Sequence, residues 1–169
     1  MRTPYSELTQ VGQARRLRPL AERALAAYGL RRPRLRLLSN EWNCTFRVDT
    51  PTGPRALRIM RRDTHRARTK VHSEDEFVAA LAATTDIRPP RVIPDRAGEL
   101  FTVASADGVP EPRACVLFEW QRGSALDGEV TPVRWAALGE LMARMHRSSR
   151  AFQPAPSFHA VAYDSVLAY

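Results

Sequence analysis

From Leu35 onward apolar residues alternate with polar ones. Leu35 and Leu37 are separated by arginines, and Cys44, Phe46 and Val48 alternate with Thr45, Arg47 and Asp49, the period-of-two pattern of strands with one buried face. Thr50-Pro51-Thr52-Gly53 follows, with Pro and Gly where a type I turn takes them, and Ala56 to Met60 reads as the returning strand. This antiparallel hairpin is the anchor for the rest of the chain.

Before it, Ser6 to Tyr28 carries Leu17, Leu20, Ala24 and Leu25 close to helical spacing, and Gly29 is placed to end that helix. After it, a basic polar stretch from Arg61 to Lys70 leads into a helix that ends near Thr84 and has Phe77, Val78 and Leu81 as its apolar stripe. Ser73 and Glu76 have capping-box spacing, but a start further upstream is equally compatible. Two further strands are predicted at Arg91 to Ile93 and Leu100 to Val103, with Asp95 to Gly98 between them. A Pro-rich loop then precedes the apolar strand Ala114 to Trp120 and the turn-like connector Gln121-Arg122-Gly123-Ser124. Thr131 and Pro132 suit the N-cap and first position of a helix ending near His146, with Trp135, Leu138, Met142 and Met145 on one side. Ser149 to Tyr169 has four aromatic residues but no defensible period.

The 169 residues, 44% of them hydrophobic, are enough for one domain with a real core. No apolar run approaches the ~18 residues of a membrane span, and the N-terminus lacks a signal-peptide core, so a cytoplasmic protein without a membrane partner is expected. Cys44 and Cys115 lie in strand-like stretches without neighbouring ligands and are expected to be buried, reduced thiols. A net charge of +8 invites a nucleic-acid partner. Lys70 is nevertheless the only lysine, and arginine here accompanies abundant alanine and proline, so a solvated surface is the expected account and nucleic-acid binding is not.

Four motifs carry chemistry. The segment Leu38-Ser39-Asn40-Glu41-Trp42-Asn43, between two strands, offers Ser39, Asn40 and Asn43 as side-chain donors, though it holds no glycine; an ordinary polar turn is the alternative. Ala56 and Arg58 share one strand face, where a small residue admits a flat ring and a guanidinium can hold phosphate; a solvated arginine is the alternative. Glu74 lies three, four and seven residues before Phe77, Val78 and Leu81 and so shares their helix face, with Glu76 as the other candidate and an exposed first-turn carboxylate as the bland reading. Finally, Val116-Leu117-Phe118-Glu119-Trp120 runs into Gln121-Arg122-Gly123, and a later helix ends near His146, a residue that in a last turn more often compensates the dipole or packs than catalyses.

From about Leu35 to His146 this order and these motifs resemble the aminoglycoside phosphotransferase family, whose relatives include choline and homoserine kinases and whose fold is protein-kinase-like. The resemblance implies that residues 38–43 cover the ATP phosphates and that Ala56 contacts adenine. It implies that Arg58 stands where the family has a lysine, and that Glu74 pairs with it. It further implies that Phe118 lies behind the adenine, with backbone groups of Glu119 and Gln121 at its edge. The cofactor would be ATP or GTP with Mg2+, and a complete relative would phosphorylate a small hydroxyl- or amine-bearing acceptor.

The family's catalytic loop is a His-Gly-Asp sequence, and a later Asp binds metal. His65, His72, His146 and His159 are each followed by something else, and Asp164 by Ser165. The expectation is therefore an α+β, protein-kinase-like N-terminal lobe with a five-stranded antiparallel sheet and one helix, truncated before the catalyst and inactive alone. Residues 1–34 would be a helical extension, 35–120 the nucleotide-binding lobe, and 121–169 the hinge and the start of a helical C-lobe. Two rivals are a basic module that binds nucleic acid or an acidic partner, and a nucleotide-binding remnant without catalysis.

Overall fold

A computed structural model describes residues 3–61, 66–123 and 130–159. After a 3-10 turn at Tyr5–Glu7, helix α1 spans Gln10–Ala27. Its N-cap Thr9 accepts a hydrogen bond from the backbone of Gly12, and Ala14, Leu17, Leu20, Ala21, Ala24 and Leu25 form its buried face. The helix closes where expected: Gly29 has φ +75°, its N–H donates to Ala26 O at 3.0 Å, and Leu30 N–H reaches back to Leu25 O at 3.0 Å. A side chain at Gly29 would also collide with that of Arg96.

Strands β1 (Arg34–Asn40), β2 (Asn43–Thr50), β3 (Gly53–Met60), β4 (Thr102–Ala104) and β5 (Arg113–Glu119) form one antiparallel sheet in the order β1-β2-β3-β5-β4. The hairpin is longer than its sequence pattern indicated, because β3 begins at Gly53 opposite Thr50 and only Pro51 and Thr52 lie in the turn. The period of two sorts the side chains. Leu35, Cys44, Phe46, Val48, Leu57, Ile59, Cys115 and Leu117 share a core with α1. Ala56, Met60, Val116 and Phe118 pack on the other side with Val71 of helix α2, which spans Ala67–Thr84. Each large side chain buried in this way contributes roughly 1.5–3 kcal/mol.

Local expectations are corrected at four places. Helix α2 starts upstream of Ser73, so Ser73 is no cap; it is buried, and its Oγ accepts from the backbone of His159 at 2.9 Å. The predicted strand Arg91 to Ile93 is reduced to an isolated bridge between Val92 and Phe118, because Pro89, Pro90 and Pro94 lack the N–H groups a ladder needs. Leu100 and Phe101 are drawn into the Val71–Phe118 cluster, which leaves Thr102–Ala104 as the strand. Helix α3, Pro132–Ala151, is capped by Thr131 as expected but continues beyond His146. It is anchored to α2 by Thr84 and Ser148 hydroxyls at 2.8 Å and by the edge-to-face pair Phe77–Phe152 at 5.4 Å, and to the segment after α2 by Arg144 on Asp86. Both cysteines are buried and free, as expected.

Candidate functional site

The site grows from the α2-facing side of the sheet. Strand β3 presents Ala56 and Arg58 there, and the ladder sets Arg47 opposite Ala56 on β2 and Phe118 opposite Ala56 on β5. Ala56 is thus a notch between a cation and an aromatic ring. Helix α2 supplies the carboxylate: Val71 is fully buried against the sheet, and Glu74, one helical turn further on, faces the same way.

Arg58 and Glu74 meet in a two-pronged pair, with Arg58 Nη1 donating to Oε1 at 2.8 Å and Nη2 donating to Oε2. Arg58 Cζ also lies 4.7 Å from the centre of the Phe118 ring, which supports the guanidinium from below. The pair is 23% and 40% exposed, so solvent screens it and its main consequence is to fix orientation. Two of the guanidinium's five N–H groups go to Glu74; Nε is buried and has no acceptor among the described residues. The competing partner Glu76 is occupied elsewhere, accepting from the backbone of Ala155 at 2.7 Å.

The other sequence candidates are distributed differently. Ser39, Asn40 and Asn43 are strand residues, and only Glu41 and Trp42 lie outside β1 and β2. The ladder slips between Leu37 and Ser39, setting Ser39 opposite Thr45 and Asn40 opposite Cys44. Asn40 therefore faces α1, where its amide donates to Gln10 O at 2.7 Å, and it is not brought to Arg58. Asn43 Oδ1 accepts a long 3.4 Å bond from Arg61 N. Phe118 is buried beside Ala56 on the neighbouring strand, whereas Glu119 and Gln121 are exposed just beyond it. The Glu119 N–H donates to Arg91 O at 2.9 Å and is thereby engaged within the fold.

Arg47 was not singled out from the sequence. Its guanidinium stacks 5.0 Å from the Trp120 ring, and its Nε donates to Asp49 at 2.8 Å, so a second cation stands on the same face as Arg58. The alternation of Thr45, Arg47 and Asp49 already contained that placement. Among the described residues no group of His, Cys, Asp or Glu is arranged to hold a metal ion, and no helix is long and apolar enough to cross a membrane.

A five-stranded antiparallel sheet with a helix-borne carboxylate paired to a third-strand cation is the N-terminal lobe of a protein-kinase-like fold. The model of the phosphotransferase enzyme family matches residues 34–165, and the chain belongs to that family. Among solved structures it is similar to a microcompartment-associated aminopropanol kinase, with 30% identity and a TM-score of 0.73 over 86% of this chain and 45% of that one. It shares its fold with an amicoumacin kinase in complex with AMP-PNP, Ca2+ and Ami, at 19% identity and a TM-score of 0.56 over 76% of this chain and 39% of that one. The chain thus spans less than half the length of either kinase. No curated protein matches it.

Proposed function

We propose that the face around Ala56, Arg58 and Phe118 binds ATP or GTP, and that the chain is the nucleotide-binding part of a small-molecule phosphotransferase. The observation that carries this reading is the Arg58–Glu74 pair beside the Ala56 notch. Glu74 holds one edge of the guanidinium and leaves further N–H groups for phosphate oxygens. Arg47 adds a second cation, and the small side chain of Ala56 leaves room for a flat base beside Phe118, with Gln121 at the base's edge. Ser39, opposite Thr45 on the same face, and Asn43 offer further donors at the end of the hairpin.

These residues suit the anion and the base. Magnesium, when bound with the nucleotide, would neutralise phosphate charge, but the carboxylate nearest Arg58 is already engaged by it. The metal ligands, the base that deprotonates the acceptor, and the small hydroxyl- or amine-bearing acceptor itself are therefore assigned to other parts of a complete phosphotransferase. This chain alone is expected to transfer no phosphate. We place the nucleotide-binding lobe at residues 35–120 and the connector to the acceptor half from 121 onward.

Equilibrium competition tests the reading. A fluorescent ATP analogue should bind the chain saturably and be displaced by ATP or GTP, while duplex DNA should compete only at low salt. Steeply salt-dependent DNA binding without displacement by nucleotide would instead make the chain a basic interaction module.

A further inference from the structure

On the sheet face opposite Arg58, a cleft of about 430 Å³ opens between the N-terminal turn, α1, the ends of β2 and β3, and the segment Pro110 to Arg113. Arg58, Glu74 and Phe118 do not line it; Met60, at the end of β3, borders both this cleft and the Phe118 cluster. Leu17, Cys44 and Ile59 form an apolar floor, and Arg113 stands at one end. Arg113 is the unusual group. Only 5% exposed, it is one of two buried polar or charged residues among those described, in a strand whose other buried residues are Ala, Cys, Val, Leu and Phe.

A buried guanidinium is costly unless its N–H groups are paired. Among the described residues its ion-pair partner is Glu111, with Oε1 3.2 Å from Arg113 Nη1, yet this nitrogen makes no well-directed hydrogen bond there. Glu111 is itself half exposed and lies between Pro110 and Pro112 on the rim of the cleft. The arrangement is a cation fitted for a carboxylate and only loosely served by the one at hand. Arg61 adds a second positive charge to the lining, and Tyr5 adds a phenol whose pKa burial raises.

The walls are held in place independently of any ligand. Gln13 Nε2 donates to Tyr5 O at 3.2 Å, Asn40 Nδ2 ties β1 to Gln10, and Arg16 donates to the carbonyls of Thr3 and Gly108. These bonds join the N-terminal turn, α1, the first hairpin and the loop before β5. A cleft with built walls, an apolar floor and an under-served buried arginine is a binding site by its chemistry.

We propose that this cleft is a second ligand site, separate from the nucleotide face, that takes a small carboxylate with an apolar body, the ligand's carboxylate replacing that of Glu111 on Arg113. The planar fork of arginine matches a carboxylate in two-pronged geometry, and the floor suits an aliphatic or aromatic body. The resident Glu111 argues for carboxylate over phosphate, since it shows which anion the pocket end accommodates.

The test is calorimetry and ligand-observed NMR on the full chain with benzoate and butyrate, using benzamide and inorganic phosphate as controls. Saturable binding of the carboxylates but not of benzamide is expected, with Arg113→Met weakening it about tenfold or more, the scale of a lost charge-assisted contact. Should Arg113→Met fail to fold, Glu111→Gln decides, because removing the competing carboxylate from the exposed rim should tighten benzoate binding by a few-fold. No saturable binding, equal binding of benzamide, preference for phosphate, displacement of benzoate by ATP, or an unchanged or weakened affinity in Glu111→Gln would each overturn the proposal.

Discussion

Arg58 on β3 and Glu74 on α2 face each other across the gap between sheet and helix, Nη1 lying 2.8 Å from Oε1, with Phe118 beneath the guanidinium. The pair fixes where α2 sits relative to the strand that carries Ala56. Because both side chains remain partly exposed, the contact is worth more as a positioning device than as a source of stability.

A double-mutant cycle should show this directly. Urea unfolding of Arg58→Ala, Glu74→Ala and the double variant is expected to give a coupling below about 1 kcal/mol, as for other solvent-screened pairs. A coupling of about 3 kcal/mol or more would mark a structural ion pair of the buried kind.

Alkaline conditions should destabilise the chain through its thiols. Burial pushes Cys44 from its ordinary 9.0 up to about 12, and pushes Cys115 up as well. The unfolded chain loses these protons first as pH rises, so the stabilisation they represent is complete below pH 9 and is lost as pH rises from 9 towards 12. Unfolding midpoints measured across that range should fall, and a thiol reagent at neutral pH should react only as fast as the protein opens. Rapid labelling of both cysteines in native buffer would contradict the burial argument.

Helix α3 contributes no buried residue, and Val133, Trp135 and Met142 are 78%, 59% and 49% exposed. Its attachment runs through Arg144, Ser148 and Phe152, nearer its C-terminal end. The isolated chain should therefore bind a hydrophobic dye and associate with rising concentration, and Trp135→Gln with Met142→Gln should reduce both effects. Sedimentation velocity checks this, and a strictly monomeric chain that ignores the dye would show that the face is not sticky.

Much of the site was legible because two independent periods converge on it. The strand period put Ala56 and Arg58 on one face, and the helix period put Glu74 on the face of Leu81, which is buried. What escaped has physical causes. The slip at Leu38 reverses the facing of Asn40, which a simple alternation cannot anticipate. Prolines around Val92 disarm a strand that composition favours. The start of α2 lies beside a basic polar stretch and has no side-chain cap to announce it. Arg47 carried no role in the strand alternation, and the ladder sets it opposite Ala56 and against Trp120.

The central claim is that Arg58, held by Glu74, is the phosphate ligand of a nucleotide site. Titration calorimetry of ATP into the wild-type chain, Arg58→Ala and Glu74→Gln tests it most directly. Arg58→Ala should lose about tenfold or more in affinity, the equivalent of ~1.5–3 kcal/mol for a charge-assisted contact, and Glu74→Gln should lose less. An ATP affinity unchanged in Arg58→Ala would contradict the account and place the phosphates elsewhere.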